Sequence, residues 1–436
     1  MRNLISKLVL CVLLGILICS CNRSVRIFKS NSARIQYENK LESSGINSTK
    51  IGEEWLNSAD EALLNAPLLQ VPIAIQGSFK SKSIAAEAWK IQLEQGASIN
   101  IVVRWHANDS SELIVDLLEG PEWKELKSYT AQNDSVKFEA GKTGYYVIRI
   151  QPELLGQGNF QLRISGTATY AVFPVEGKNS RAIQSVWGDV RDGGRRTHEG
   201  VDIFAERGTP VLAPVEGVVT AVRDRGLGGK QVWVRDSERN WNLYFAHLDS
   251  QLVRNLQRVK PGDTLGLVGN TGNARTTAPH LHFGIYQSGA INPFPAIKND
   301  FIAAPLLPDE QFSPAMKVNV SQANLRNGPS TKSAVISRMK VEELVFIKAA
   351  TSDWFQIKTI EGMTGFLYKN LLSGIDSIAL EEKTAYAYGN YPRLSTSDSL
   401  LVELDQFSKI GTTKDGLEII VDKDDNLLYL PLSQKR

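Results

Sequence analysis

Along most of this chain apolar residues alternate with polar ones in short runs, and the runs are broken by Gly, Asn, Asp, Pro and Ser. A period of two sends one face of a strand into a core and the other toward solvent. Between residues 67 and 168 the runs WKIQL, SINIVVRW, SELIVDLL, SVKFEA, GYYVIRI and NFQLRIS carry β-branched and aromatic residues, and so predict an antiparallel β-sandwich. In 175–298 the runs TPVLAPVEGVVTAV, KQVWVRD and DTLGLVG follow one another with no helical pattern between them. They predict an antiparallel sheet rather than a doubly wound fold. After a Pro-containing linker, FIAAPLLPDEQFSP, short strands return over 316–373. Residues 374–436 form a further β-rich tail, where EIIVD and LLYLPL flank Asp422–Asn426, a turn by composition. Helical spacing shows only in Gly52–Leu64, through Trp55, Ala59 and Leu63. The segment 21–66 therefore reads as a polar tether, over 22–50, followed by a short helix. The expected fold class is mainly β: an N-terminal β-sandwich, a central antiparallel β-sheet domain and a C-terminal small β-barrel.

The N-terminus breaks the alternation in a different way. Arg2 and Lys7 precede an apolar run of 11 residues, Leu8 to Ile18. That is short for a bilayer span, which takes roughly 20 residues, and suits a secretory signal. Ile18-Cys19-Ser20-Cys21 resembles the lipobox of bacterial lipoproteins. The resemblance implies a lipoprotein signal peptide at 1–20 and lipidation of Cys21. It implies a lipid-anchored protein of the cell envelope, on the outer membrane facing the periplasm in a Gram-negative host.

Composition changes this picture mainly by exclusion. With 42% hydrophobic residues the chain can bury real cores. Lys and Arg number 49 against 47 Asp and Glu, so no charge excess calls for nucleic acid. Cys11, Cys19 and Cys21 all lie in the first 21 residues, which leaves no disulfide framework for the body of the protein.

Histidine is scarce, with five in the chain, yet four of them, His198, His247, His280 and His282, fall between positions 198 and 282. In the strand-like His280-Leu281-His282-Phe283-Gly284-Ile285-Tyr286, alternation puts His280, His282 and Tyr286 on one face and the apolar residues on the other. Two histidines on the polar face of a rigid strand suit a metal or a substrate. His198 and Asp202 stand four apart, which is about 13 Å in an extended strand. One metal cannot bridge that, so the chain must bend, and Gly200 is the residue that permits it. Trp241–Leu248 reads as a strand that delivers His247 at its end. The lone His106, at a strand end in the sandwich, is given no role.

The runs GGRRTHEGVDIFAERGTPVLAPVEGVV, YFAHL and GNTGNARTTAPHLHFGIY together resemble the lysostaphin/LytM-type zinc metallopeptidases, over residues 183–294. In that family a His-x-x-x-Asp pair and the second histidine of His-x-His bind zinc. The positions that match are His198, Asp202 and His282, which implies one Zn2+ per chain. The family's two further histidines match His247 and His280, acting on substrate and water. Gly284 stands where a Glu is common and Ala278 where a Gly is common, and neither is a ligand position. LRNGPS, the later Trp354 and GMTGFLYKNLL resemble the bacterial Src-homology-type small barrel attached to cell-wall enzymes. GKTGYYVIRIQ and GQGNFQLRIS resemble the prepeptidase C-terminal domain.

A site of two neutral histidines and one carboxylate leaves zinc cationic with an open position, suited to acidifying water and polarising an amide carbonyl. His247 and His280 would move protons and stabilise charge, and the residues do not fix which does which. The expected function is a zinc endopeptidase acting on peptidoglycan stem peptides or cross-bridges. The alternative, from a different class, is a non-catalytic wall-binding lipoprotein that regulates other hydrolases. The expected partners are peptidoglycan and a membrane, and the residues leave open whether a regulatory protein binds.

Overall fold

The computed structural model describes residues 32–80, 84–131, 135–308, 312–375, 378–379, 384–388, 399–403, 406–422 and 427–431. The signal segment, Cys21 and the centre of the turn expected at Asp422–Asn426 lie outside the described residues.

The helix expected at Gly52–Leu64 spans Lys50–Leu64 and buries Trp55, Ala59 and Leu63. Thr49 caps it, its hydroxyl accepting from the Gly52 N–H. The tether expected over 22–50 is corrected: Ala33–Ser43 is a second helix, capped by Ser32. Its buried residues are Arg34 and Leu41, not an apolar stripe. Arg34 donates to Asp116 Oδ2 at 2.6 Å and to Gln151 Oε1 at 3.0 Å, and its guanidinium lies 4.9 Å from the Trp55 ring centre. A helix pinned by a buried ion pair leaves no hydrophobic period to read.

The sandwich forms as expected. One sheet joins Leu68–Leu69, Glu87–Leu93, Gly144–Pro152, Leu113–Glu119 and Lys124–Thr130. The other joins Ile73–Phe79, Gly158–Thr167, Ser98–Ala107 and Ser135–Glu139. Trp89, Ile91, Tyr146, Ile148, Phe160 and Leu162 fill the space between them.

The second sheet does not stop at its edge. Ile73–Phe79 pairs antiparallel with Leu344–Ala350 of the small barrel, Gln76 opposite Ala350 and Gly77 opposite Ala349. A Cβ on Gly77 would lie 2.7 Å from the Phe160 ring and 2.8 Å from the Lys348 carbonyl oxygen, so glycine is what lets the strands meet. Ala349, Trp354 and Phe366 of the barrel enter the sandwich core, and the Trp89 indole N–H donates to Gln356 Oε1 at 2.8 Å. The sandwich and the barrel, which stand on either side of the central domain in the chain, therefore share a sheet and a core. The tail adds strands at Ile378–Ala379, Thr384–Tyr388, Ser399–Glu403, Phe407–Thr412, Glu418–Asp422 and Leu427–Leu430. Ile419 and Tyr429 pack with Leu344.

Between these lies the central domain. Its main sheet runs in the order Ile183–Ser185, Val201–Phe204, His280–Tyr286, Trp241–Ala246, Lys230–Asp236, Gly217–Asp224, Arg258–Val259, antiparallel at every pairing. Val201, Ile203, Leu281, Phe283, Ile285, Leu243 and Phe245 are fully buried on its inner face. A small sheet of Pro210–Leu212, Thr264–Leu267 and Ser250–Gln251 closes that core, contributing Val211 and Leu265. Alternation then leaves Asp202, His280, His282, Tyr244 and Tyr286 on the other face.

Candidate metal centre

Strand register assembles the cluster. Val201–Phe204 runs antiparallel to His280–Tyr286 with Asp202 opposite His282, and Ala246 lies opposite His282 on the other side. His198 arrives from the loop before the strand. Its N–H donates to the Asp189 carbonyl at 2.8 Å, and its own carbonyl accepts from the Gly188 N–H at 2.9 Å. The chain bends at Gly200 as expected, and the glycine matters for a second reason. A Cβ there would lie 2.6–2.7 Å from the His282 ring and 2.6 Å from the Phe283 carbonyl oxygen. Glycine makes room for the His282 ring.

Three atoms converge. His198 Nε2 is 3.1 Å from Asp202 Oδ1 and 3.0 Å from His282 Nδ1, and His282 Nδ1 is 3.0 Å from Asp202 Oδ1. His198 Nδ1 faces the Val186 carbonyl at 2.9 Å. A carbonyl cannot donate, so the imidazole proton sits on Nδ1 and Nε2 offers a lone pair. Asp202 Oδ1 is an acceptor too. With the His282 proton on Nε2, all three atoms present lone pairs to one point, an arrangement that one cation satisfies. Ligands held tetrahedrally at 2.0–2.1 Å stand about 3.3 Å apart, close to the spacing seen. The donor set therefore fits a metal ion, held by His198, Asp202 and His282.

Burial pushes the Asp202 carboxyl up, but hydrogen bonds and charge from His198 and His282 outweigh it and hold the group well below the usual carboxylate range. Burial lowers His282, opposed by its hydrogen bond to Asp202.

The other two histidines stand beside this cluster. His247 follows the strand Trp241–Ala246 with φ +61°, a left-handed conformation that turns its ring back toward the sheet. Its Nδ1–H donates to the Thr271 carbonyl at 2.9 Å, which leaves Nε2 as the acceptor. Burial, with the nearby His282 and His280, lowers its pKa to about 4. His280 Nδ1–H donates to the Ala278 carbonyl at 2.8 Å, and its Nε2 is 3.9 Å from Asp202 Oδ1. The His280 ring stacks on Phe204 at 5.0 Å and meets His247 edge-on at 5.1 Å. All five residues singled out in the sequence line one cleft of about 590 Å³. His106 stands exposed in the sandwich strand Ser98–Ala107 and joins none of these contacts.

Sequence reasoning missed part of the cleft. Tyr244, which it missed, joins Tyr286, which it had placed on the histidine face, to form one wall; Trp233 lies tilted against Tyr244 at 4.4 Å, and burial pushes both phenols up to about 12. Arg191 donates to Asp202 Oδ2 at 3.0 Å. Nothing in its spacing sets Arg191 apart from Arg195 and Arg196 nearby.

A sheet that presents two histidines and a carboxylate to one point, with two more histidines alongside, defines a domain of metallopeptidase type. Residues 196–293 match peptidase family M23, and residues 319–374 match the bacterial SH3 domain. The chain thus carries a stretch of M23 peptidase type followed by one of bacterial SH3 type. It is 36% identical over 139 residues to an L-Ala--D-Glu endopeptidase of Bacillus subtilis, across 29% of this chain and 42% of that protein. It is 31% identical over 174 residues to an uncharacterized metalloprotease of Haemophilus influenzae, across 37% and 33%. It is 36% identical over 111 residues to the peptidoglycan DD-endopeptidase ShyC of Vibrio cholerae, across 26% and 24%. The chain spans less than half the length of each of these relatives.

Proposed function

We propose that this chain is a zinc-dependent endopeptidase that hydrolyses peptide bonds in the stem peptides or cross-bridges of peptidoglycan. The convergence of His198 Nε2, Asp202 Oδ1 and His282 Nδ1 carries the reading, because the three atoms are spaced to ligate one cation. Zinc held there supplies Lewis acidity to the scissile carbonyl and to water. The rest falls to the chain. His247 and His280 each give their Nδ1 proton to a main-chain carbonyl and so present Nε2 as a base. The lowered pKa keeps His247 neutral and able to accept at neutral pH. A ring that takes the proton of water at Nε2 can pass it to the departing amine. The Tyr244 and Tyr286 rings, set edge to face, line the cleft beside the ligands and offer apolar contact to a peptide. Relatives named as an L-Ala--D-Glu endopeptidase and a peptidoglycan DD-endopeptidase support the wall peptide as substrate, as does the SH3 match.

The test is digestion of purified peptidoglycan by the metal-loaded protein, with the released peptides identified by mass spectrometry. New amino termini at stem or cross-bridge positions, absent with chelator and with His282→Ala, are expected. Intact wall peptides under conditions where zinc is bound would overturn the reading.

Anchoring through a lipidated Cys21 belongs to the same proposal, and the sequence Ile18-Cys19-Ser20-Cys21 supports it. Two or more acyl chains hold a protein stably at a bilayer, here in the cell envelope near the wall. Wild type should partition into the detergent phase and Cys21→Ser into the aqueous phase. Equal partitioning would remove the anchor from the picture.

A further inference from the structure

Residues 185–191 lie upstream of the matched stretch 196–293, yet they touch two of the three metal-facing residues. Ser185 is the hub. A hydroxyl has one proton and two lone pairs, and here each has a use. Ser185 Oγ donates to Asp189 Oδ2 at 2.8 Å. It accepts from Arg191 Nη2, and it lies 3.2 Å from His198 Nδ1, which carries the ring proton. Asp189 Oδ2 also accepts from the Val186 N–H at 2.9 Å, which ties the loop to itself. The Val186 carbonyl accepts from His198 Nδ1 at 2.9 Å. Arg191 Nη2 then reaches Asp202 Oδ2 at 3.0 Å, while Oδ1 faces the two histidines.

We infer that Ser185, Val186 and Arg191 form a clamp that sets the metal affinity of this site, with Arg191 as a positioning residue that reserves Asp202 Oδ2 and presents Oδ1 alone to the ion. The inference rests on the metallopeptidase reading above. Its chemistry is one of orientation. A carboxylate with one oxygen engaged by a guanidinium cannot rotate to offer both oxygens to a cation, nor turn away from it. A histidine whose Nδ1 proton is held by a carbonyl and a hydroxyl cannot switch tautomer and lose its Nε2 lone pair. Arg191 is only 29% exposed at its side chain, so the contact is sheltered from solvent competition. The functional unit therefore begins by Ser185, ahead of the first recognisable motif residue.

The test measures zinc binding, not turnover, on the full chain. Zinc dissociation constants come from competition with a chromophoric chelator for wild type, Arg191→Met, Arg191→Lys, Ser185→Ala and His282→Ala. Loss of such outer contacts commonly weakens metal binding by about 10- to 100-fold, and that is expected for Arg191→Met. Ser185→Ala should weaken it less, and Arg191→Lys should recover part of the loss. Melting temperature is read with and without zinc, because a merely structural role would lower both values equally. The clamp instead predicts that the zinc-induced rise shrinks in Arg191→Met. Should Arg191→Met fail to fold, Arg191→Lys and Ser185→Ala carry the same comparison. If Arg191→Met binds zinc within about 3-fold of wild type while His282→Ala loses it, the clamp is wrong and the metal site stands. If wild type holds no zinc, or His282→Ala holds it as tightly as wild type, the metallopeptidase reading fails and the clamp falls with it.

Discussion

Two of the buried polar clusters are built on opposite principles. In the sandwich, Asp116 is fully buried and accepts from Arg34 Nε at 2.6 Å, Arg149 Nε at 2.8 Å and Ser128 Oγ at 2.6 Å. Gln151 accepts from Arg34 and donates to the Trp55 carbonyl and to Ser58. Each of these contacts joins a donor to an acceptor. In the central domain, His198 Nε2, His282 Nδ1 and Asp202 Oδ1 point lone pairs at one another. The first cluster is closed and holds a helix to a sheet. The second has Arg191 on Asp202 Oδ2 alone and leaves Oδ1 and the two histidines converging on a point that a cation can fill. The balance of donors and acceptors, rather than burial or charge alone, separates a structural network from a site.

The sharpest way to break this comparison is to remove one member from each cluster. His282→Ala should abolish stoichiometric zinc and lower activity by about 10³-fold or more, since the metal accounts for several kcal/mol of the barrier. The metal-free variant should melt no lower than metal-free wild type, because one of three opposed acceptors is gone. Asp116→Asn should do the reverse. It leaves two buried guanidinium groups without their counter-ion and should cost about 3–5 kcal/mol of stability, with zinc content per folded chain unchanged. Metal analysis and urea denaturation on both variants decide the matter. A zinc-loaded His282→Ala, or an Asp116→Asn that loses metal while folded, would end the distinction.

The two clusters also differ in what the sequence disclosed. The site was legible because its residues are rare and lie on strands whose alternation is plain. His280 and His282 flank Leu281, and the structure puts Leu281 in the core and both histidines on the other face. The central sheet and the sandwich were legible for the same reason. The structural cluster was not, since Arg34, Asp116 and Arg149 are common residues brought together across 82 and 33 positions by pairing that no local period encodes. The same blindness hid the helix Ala33–Ser43, and hid the junction where Gly77 admits the barrel strand to the sandwich sheet. Contacts of this kind depend on register between distant strands, and so does Arg191, whose guanidinium reaches Asp202 across a separate short hairpin.

Within the site, ligands and bases should separate cleanly. His247→Ala and His280→Ala should keep zinc near one per chain and lose roughly 10²-fold or more in kcat, as groups that move protons usually contribute. Their Nδ1 atoms are committed to main-chain carbonyls rather than to the converging cluster. If either variant loses its zinc, it is a ligand and the division of roles is wrong.

The smallest effect expected is a dependence of folding on pH, and it sharpens the comparison without touching the chemistry. His247 has its pKa lowered to about 4 in the fold, mainly by burial, against 6.5 for the ordinary group. Above pH 6.5 both folded and unfolded chains keep the ring neutral, so its packing is fully favourable there. As pH falls below 6.5 the unfolded chain takes up the proton and the folded chain does not, so stability drops until about pH 4. A shift of that size corresponds to about 3 kcal/mol at most across the window. His282 is shifted in the same direction, so some of the slope belongs to it. Asp202, held below the carboxylate range, adds its loss only at lower pH, where the unfolded carboxyl protonates. The cluster around Asp116 pairs its carboxylate with two guanidinium groups and contains no histidine. Urea midpoints of the metal-free protein between pH 7.5 and 4.5 should therefore fall with a slope that His247→Gln makes shallower and that Ser128→Ala leaves parallel to wild type. If His247→Gln follows the wild-type slope, His247 is not held neutral by its surroundings, and its role as a ready acceptor at neutral pH loses its basis.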